Sequence, residues 1–305
     1  MNATDRQHLL AEQNFLRAQL ERLPATARLT RMSTEARLRS IGGDLAQMPV
    51  NERAPARARL TFNGAPVVGS HGIFADFGMR AVSSFTDAVA SVAASLTTSL
   101  AAMGPIPNRD QNQLLITNTA VGSFGFELEE FRVNQLSLEE ESPVSIALNR
   151  TQALLLGTLG SDEDLADIAS ETDPRALDKV RTFLKILTEN DAVCALQYRG
   201  RSIRFTDVGQ VRSSFDRLGA DNLRESEQQL RGKFLGVLPN SRTFEFELAG
   251  EARIIRAKVA PSIQNVDELN QHLHQKTSIT VMTTQVGNGR PRYLLTKMPD
   301  WAIGG

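Results

Sequence analysis

Disulfide-forming cysteines, long apolar runs and an apolar leader are all missing from this sequence. Its single cysteine, Cys194, excludes an intrachain disulfide framework and fits a reducing compartment. No run of about 18 apolar residues occurs, so we expect no transmembrane helix and no membrane partner. The first residues, from Met1 to Arg6, are largely polar where a secretory signal needs an apolar core. These absences predict a soluble, cytoplasmic protein.

Signatures of catalysis and of cofactor binding are also scarce. Of the four histidines, His272 and His274 lie two positions apart on a predicted helix and so point to different faces. Neither a zinc-binding histidine pair at i, i+4 nor a Cys-x-x-Cys set occurs. The glycine-rich phosphate-binding motifs of the P-loop and dinucleotide types are absent as well. We therefore expect no metal and no cofactor, in a protein that binds rather than catalyses.

One histidine, His71, keeps an enzymatic alternative open. Adjacent side chains in a turn do not usually point at one another, so the segment from Gly69 to Gly72 favours a glycine-framed turn over a Ser–His dyad. His71 could instead act as a lone general base with Asp76 or Asp87. Together with the acidic residues between Glu127 and Glu141, it gives the hypothesis of a hydrolase or nuclease.

Charge is nearly balanced overall but is unevenly distributed along the chain. The formal net charge of −1 gives no general attraction to nucleic acid or membrane. Residues 1–60 carry ten arginines against six acids, whereas residues 127–192 carry fifteen acids against six bases. From residue 193 onward, sixteen bases face eleven acids. Solvated helix faces explain this pattern; the alternative is a basic surface at one or both ends that meets a polyanion.

Residues 1–50 predict two helices separated by a proline. Five positions at alternating spacings of four and three residues form the narrow seam of a coiled coil or helical hairpin: Leu9, Gln13, Leu16, Leu20 and Leu23, all apolar except Gln13. Pro24 ends the first helix, and a second apolar stripe runs from Leu38 to Met48. Because so narrow a seam is unstable alone in water, the helices either fold back as a hairpin or form an arm. Such an arm would serve self-association or partner docking through the four leucines.

The middle of the chain predicts an α+β body in two parts. In residues 51–141, a strand near residues 58–63 precedes one long helix whose apolar stripe runs from Val82 to Leu100. This helix carries so few charges that we expect it to be covered on more than one side. Residues 142–228 predict a helical region that contains a β-hairpin turning at Arg199 and Gly200. Cap signals mark the starts of its helices, at Ser142, Ser161, Asp173 and Asp207.

Residues 229–305 predict a small β-barrel. Short strands are expected at residues 233–237, 243–248, 252–259, 277–284 and 292–296, with a helix at residues 266–274. A helix between the third and fourth of five strands is the order of OB-like Greek-key barrels. Period-two alternation predicts that the barrel core contains Phe244, Phe246, Leu248, Ile279, Val281 and Leu294.

The barrel also carries the candidate binding residues. Six cations lie in or beside its strands, namely Lys233, Arg253, Arg256, Lys258, Arg290 and Arg292. Outward-facing aromatic rings could stack on bases, but Phe244 and Phe246 alternate with glutamates, which predicts that both rings are buried. We favour a non-enzymatic binding or adaptor protein that assembles through its helices and binds a protein partner with the barrel. A nucleic-acid-binding protein that uses the basic barrel is the alternative.

Overall fold

A mixed body of helices and sheet is followed by a closed five-stranded β-barrel in the computed structural model of the chain. Residues 3–24, 27–47, 55–98, 100–101, 103–120, 124–131, 141–251, 253–299 and 301 are described. In these ranges, none of the helices has the length and apolarity needed to cross a membrane. The predicted α+β class and the C-terminal barrel are both confirmed.

The N-terminal part consists of two antiparallel helices, α1 (Ala3–Arg22) and α2 (Arg28–Gln47). The guanidinium of Arg37 donates two hydrogen bonds, of 2.8 and 2.9 Å, to the carboxylate of Glu12 on the facing helix. The seam leucines are half-buried, at positions Leu9, Leu16, Leu20 and Leu23. Phe15, Leu29 and Met32 are exposed. Apolar side chains therefore lie both in the seam and on the outer surface of the pair.

A five-stranded antiparallel sheet forms one layer of the body. Its central strand, β1 (Arg57–Gly64), is followed by a small separate pair, β2 (Val67–Val68) and β3 (Gly72–Ile73). The other strands of the sheet are β4 (Leu114–Ala120), β5 (Gly125–Glu130), β6 (Ala192–Tyr198) and β7 (Arg201–Arg204). Their order is β4-β5-β1-β6-β7. Ala58, Leu60 and Phe62 are buried in alternation on β1, so one face of the sheet carries the core.

Helices form the second layer of the body: α3 (Ala75–Ser95), α4 (Pro143–Gly157), α5 (Asp162–Ala169), α6 (Pro174–Glu189) and α7 (Val208–Arg217). α3 packs against both α4 and α6, and its Phe77 meets Phe62 of β1 edge-to-face with ring centroids 5.5 Å apart. Even Ser84 and Ser91 of α3 are buried, as its few charges predicted. One hydrophobic core draws on residues before and after the predicted division at residue 142.

Side-chain caps fix the starts of the later helices. Ser142, Asp173 and Asp207 each accept a hydrogen bond from a backbone N–H in the first turn of α4, α6 and α7. At α5, Ser161 and Asp164 form a reciprocal capping box. Because a cap satisfies donors that the helix itself leaves unpaired, these residues determine where each helix begins.

The barrel has five strands, β8 (Leu223–Leu238), β9 (Thr243–Leu248), β10 (Ile254–Val259), β11 (Lys276–Val286) and β12 (Arg292–Leu295). They close in the order β10-β12-β11-β8-β9. β10 and β12 run parallel and pair only where Lys258 meets Leu294 and Val259 meets Leu295. The other neighbouring strands are antiparallel. A 3-10 helix, Val266–His272, connects β10 to β11.

Two elements of the barrel differ from the sequence prediction. β8 has 16 residues and begins well before the expected strand at residues 233–237. Its first half pairs with β11, yet the side chains of residues 224–229 are exposed, so no apolar alternation marks this strand in the sequence. The α-helix expected at residues 266–274 is a shorter 3-10 helix.

The barrel core centres on Phe234, whose ring centroid lies 5.2 Å from that of Phe244 and 5.1 Å from that of Phe246. Ile279 and Val281 are buried as predicted, and Leu248 is half-buried against the core. On β12 the fully buried side chain is Leu295 and not the predicted Leu294. The reason is register, because Leu295 pairs with the inward-facing Val281.

The barrel is joined to the body along the outer side of β8, β11 and β12. Val286 at the end of β11 belongs to the hydrophobic core of the body, and Leu223 packs against that core. Helix α5 packs against β11. An ion pair between Arg292 of β12 and Asp167 of α5 adds to this contact. The arrangement places α5 beside the barrel wall that contains β12.

Candidate functional site

A cleft opens in the barrel wall just before the two residues at which β10 and β12 pair. Arg256 and Ala257 of β10 line it, together with Arg292 and Tyr293 of β12. Because these parts of the two strands are not hydrogen-bonded to each other, the wall has a gap here. The cleft has a volume of about 760 Å³, within the range of about 300–1,000 Å³ that is typical of ligand sites.

The floor of the cleft is apolar. Val237, Phe244 and Ala257 form it, and all three are also members of the barrel core. Leu238 adds a side chain that is 65% exposed. Gly236 lies at a bulge in β8, and the place where its side chain would stand is open space. The missing side chain and the exposed leucine leave an apolar surface that a ligand could cover.

The opposite wall is charged and comes from α5 and the residues that follow it. Asp167 forms an ion pair with Arg292, and Glu171 forms one with Lys258. Burial lowers the pKa of Lys258, and the negative charge of Asp167 opposes that shift. Arg150 of α4, whose own pKa is lowered by burial, donates to the carbonyl oxygen of Glu171 at 3.3 Å. Cations and carboxylates thus stand side by side along this wall.

Three of the six cations predicted to bind a partner meet at the cleft: Arg256, Lys258 and Arg292. Each of them has a carboxylate partner. Arg256 Nε lies 2.9 Å from Glu245 Oε1, a neighbour on β9 that also lines the cleft. The predicted cations therefore come together here as members of ion pairs and not as a free basic patch.

The other three predicted cations do not line the cleft. Lys233 Nζ lies 3.0 Å from Glu247 Oε2, a cross-strand pair on the outside of the barrel. Arg253 and Arg290 are exposed, and no ion pair links either of them to any residue in the described part of the chain. Whether these three residues bind a partner stays a prediction.

Few aromatic rings of the barrel can stack on a base. Phe234, Phe244 and Phe246 are buried in the core. Trp301 stacks on the imidazole of His272, with ring centroids 4.1 Å apart and an interplanar angle of 13°. Tyr293 is half-buried and lines the cleft. A row of outward rings, which a platform for single-stranded nucleic acid needs, is not found among the described barrel residues.

Sequence reasoning missed the part of the site that α5 provides. Asp167 and Ser170 line the cleft, and Glu171 adjoins it, but none of them belongs to a recognisable motif. The one signal in the sequence was the acidic excess of residues 127–192 beside the basic excess that follows. Opposite excesses are consistent with a contact between the two segments, which is what Asp167 and Arg292 make.

His71, the residue behind the enzymatic alternative, lies in the exposed turn between β2 and β3. Of its suggested acidic partners, Asp76 forms an ion pair of 2.7 Å with Arg80, and Asp87 forms one with Arg109. These carboxylates thus have guanidinium partners. The cleft between α5 and the barrel is not lined by His71.

Among the residues that the structure describes, the other reactive side chains form no further centre. Cys194 is buried on β6, and burial raises the pKa of its thiol, so it is held as the neutral form. Glu139 and Glu140 lie outside the described residues. Within the described ranges, no group of three or more His, Cys, Asp or Glu side chains could hold a metal ion.

Comparison of the chain with protein-family models, with curated proteins and with solved structures finds no match. The function therefore has to be argued from the site itself, because fold alone does not determine what a protein binds. The apolar floor of the cleft and its paired charges are the features on which that argument rests.

Proposed function

We propose that the protein is a non-enzymatic binding protein of the adaptor type, which receives a segment of a protein partner in the cleft between the barrel and α5. The observation that carries this proposal is an apolar floor bounded by cations and carboxylates. A peptide segment offers apolar side chains for such a floor and charged groups of both signs for such a rim. Leu238 gives the segment an exposed apolar contact at the entrance.

We infer that the barrel is OB-like. The strand order, the parallel closure of β10 with β12 and the helix between β10 and β11 support this assignment. In barrels of that type, the second and third strands carry the ligand. Here those strands are β9 and β10, which provide Phe244, Glu245 and Arg256 to the cleft. The location of the cleft is therefore consistent with an OB-like binding face.

Charge balance favours a protein segment over a nucleic acid. Lys233, Arg256, Lys258 and Arg292 all have carboxylate partners, which lie on the barrel, on α5 or just after α5. A polyanion would have to displace those carboxylates, and it gains little from counterion release at a surface that is already neutralised. Nucleic-acid binding by the barrel is thus the alternative. It would have to rely on cations that form no ion pair with any described residue, such as Arg253 and Arg290.

A matched pair of variants tests the cleft. Leu238 and Ile254 are both exposed on the barrel, at 65% and 55%, but only Leu238 lines the cleft. Peptides selected from a random phage-displayed library on the full chain serve as probes. We expect Leu238→Asp to weaken their binding at least about tenfold and Ile254→Asp to change it by no more than about twofold. Peptides that bind both variants equally well would place the binding surface elsewhere.

Oligonucleotides test the nucleic-acid alternative on the same protein. We expect a single-stranded and a double-stranded 20-mer to show no binding at about 0.15 M salt. Binding that falls steeply with salt and is lost in Arg253→Ala, Arg290→Ala would instead favour the basic-barrel function. Binding of selected peptides and of oligonucleotides can be compared directly by fluorescence anisotropy.

We further propose that the N-terminal helices form an arm through which the protein self-associates. Phe15, Leu29 and Met32 remain exposed on α1 and α2, and a second copy of the pair would cover them in a four-helix bundle. The four leucines predicted to serve self-association, Leu9, Leu16, Leu20 and Leu23, are half-buried on α1 and just after it. Light scattering should find an oligomer for the full chain and a monomer after deletion of residues 1–50. A full chain that is strictly monomeric would contradict this part of the proposal.

A further inference from the structure

Arg150 of α4 is a half-buried cation that forms no ion pair with any carboxylate in the described part of the chain. Within that part, its side chain makes one hydrogen bond, to the carbonyl oxygen of Glu171 at 3.3 Å. A carbonyl oxygen carries only a partial negative charge, so this bond does not neutralise the guanidinium. Burial makes such a charge costly, and it lowers the pKa of Arg150 for that reason. Arg150 thus carries a positive charge that no described carboxylate compensates.

The charge of Arg150 acts on the charged wall of the cleft. Glu171, whose carbonyl oxygen Arg150 contacts, forms an ion pair with Lys258, and Lys258 lines the cleft. Burial is the main cause that lowers the pKa of Lys258, and the negative charge of Asp167 opposes it. The positive charges of Arg150 and Arg292 lower this pKa further, so both cations lie close to Lys258.

The group of charges around Lys258 has more positive than negative members. It consists of three cations and two carboxylates, which are connected by two ion pairs and by the hydrogen bond of Arg150: Arg150, Lys258, Arg292, Asp167 and Glu171. The group therefore has an excess of one positive charge. The other ion pair that lines the cleft, between β9 and β10, is balanced.

An excess of one charge narrows the chemistry of a partner. A carboxylate in the cleft would supply one negative charge without displacing Asp167 or Glu171. A basic side chain would add to the excess, and a phosphorylated side chain, with a charge of about −1.5 to −2, would exceed it. A nucleic acid would bring many phosphates to a surface whose excess is a single charge. One carboxylate matches the group best.

We propose that the partner segment presents a carboxylate to Lys258 and Arg292, and that Arg150 determines this preference. The inference rests on the proposed function, because the same segment covers the apolar floor of the cleft. Lys258 and Arg292 make the contact, since both line the cleft. Arg150 contributes through its charge, which favours a negative group beside Lys258. A partner should therefore combine an apolar residue and a carboxylate in one short segment.

The peptides selected on the full chain provide the test. Each peptide is synthesised as selected, with its Asp and Glu changed to Asn and Gln, and with a free or an amidated C-terminus. These forms separate a side-chain carboxylate from a terminal one. Affinities are measured for the parent and for three variants of the protein: Arg150→Gln, Arg150→Lys and Arg212→Gln.

The variants isolate the charge of Arg150. Arg150→Gln keeps an N–H donor for the carbonyl oxygen of Glu171 but removes the charge, whereas Arg150→Lys keeps the charge. Arg212 is an exposed arginine on α7 and does not line the cleft, so Arg212→Gln is the control for a lost surface charge. Circular dichroism confirms that all three variants are folded.

We expect loss of the peptide carboxylate to weaken binding to the parent about tenfold, and binding to Arg150→Gln by no more than about twofold. Arg150→Lys and Arg212→Gln should discriminate between the peptides as the parent does. Equal losses in the parent and in Arg150→Gln would overturn the inference. Peptides that bind the parent equally well with and without a carboxylate would overturn it too.

The cleft variant Leu238→Asp distinguishes failure of this inference from failure of the proposed function. If no peptide binds the full chain, or if Leu238→Asp leaves binding intact, the cleft does not receive a segment and both proposals are wrong. If Leu238→Asp weakens binding while the carboxylate makes no difference, the cleft receives a segment and only the acidic preference is wrong.

Discussion

Arg217 at the end of α7 donates a hydrogen bond of 2.8 Å to Asp162, the first residue of α5. The same guanidinium donates to the carbonyl oxygens of Thr158 and Gly160, each at 2.7 Å. Those carbonyls follow the end of α4, where the helix itself supplies no donors. One side chain therefore connects the end of α4, the start of α5 and the end of α7, and it holds α5 in place beside the barrel.

The first prediction concerns this connection. Arg217→Gln removes a charged donor from three acceptors, and we expect the free energy of unfolding to fall by about 2–3 kcal/mol. Arg212→Gln, an exposed position on the same helix, should change it by less than about 0.5 kcal/mol. Urea unfolding measures both. Equal midpoints for the two variants would mean that Arg217 does not stabilise the junction.

Two glycines of β8 give the second prediction. A side chain at Gly232 would overlap the carbonyl oxygen of Glu247 and the ring of Phe246, whereas one at Gly236 would enter open space. We expect Gly232→Ala to lower the free energy of unfolding by about 3 kcal/mol and Gly236→Ala to change it by less than about 1 kcal/mol. Thermal melting compares the two. A small effect at Gly232 would show that β8 and β9 do not approach each other so closely.

The third prediction separates the inside of the barrel from its outside. Phe246 is fully buried against Phe234, so Phe246→Ala should cost about 3–5 kcal/mol of stability. Arg256 pairs with Glu245 in a largely exposed ion pair, and Arg256→Ala should cost no more than about 0.5–1 kcal/mol. Denaturant titration of both variants is the measurement. Similar losses would be inconsistent with the inward position of Phe246.

The fourth prediction concerns pH. The side chain of Glu225 keeps part of its surface exposed, but the surrounding protein partly desolvates its carboxylate. This desolvation, and then the negative charge of Asp173, raise the pKa of Glu225. The folded protein thus binds this proton more readily than the unfolded chain, so the charged carboxylate opposes folding at neutral pH. The penalty decreases as pH falls through the raised pKa towards the unfolded value near about 4.3. Glu225→Gln should therefore be more stable than the parent at pH 7, by a margin that closes on acidification.

Melting temperatures between pH 4 and pH 8 test this pH dependence. Glu251→Gln, an exposed position in the turn between β9 and β10, is the control and should track the parent at every pH. If the stability advantage of Glu225→Gln over the parent grew as the pH fell, the pKa of Glu225 would be lowered and not raised in the folded protein. If the melting temperatures of Glu225→Gln and Glu251→Gln changed with pH in the same way, the pH dependence would not come from Glu225.

The barrel core was predictable because it depends on local alternation. Phe244, Phe246, Ile279 and Val281 follow period two on their strands, and all four are buried. The position of Leu295 was not predictable, because the register of a strand as short as β12 is set by its partner β11. The first half of β8 was also missed. Its exposed polar residues form a strand only because β11 pairs with them.

The cleft depends on distant contacts and could not be derived from the sequence. Lys258 and Glu171 are 87 residues apart, and Arg292 and Asp167 are 125 residues apart. The basic residues of the barrel were named as candidates for binding, and that stays a prediction. The carboxylates of α5 and of the segment after it, which pair with two of these cations, are found only in the tertiary structure. For the same reason the place of Tyr293 in the lining of the cleft could not be derived from the sequence.

The long β8–β11 ribbon has a consequence for modularity. Its outer end, where Leu223 pairs with Val286, is anchored in the core of the body, while its inner end builds the barrel. A barrel excised at residue 229 would lose the strand partners of residues 281–286. A graft of this barrel onto another scaffold must therefore begin no later than residue 222, and it needs an apolar host surface for Leu223 and Val286. The barrel is in this sense dependent on the surface that receives the outer end of its ribbon, and evolution or design would have to transfer the two together.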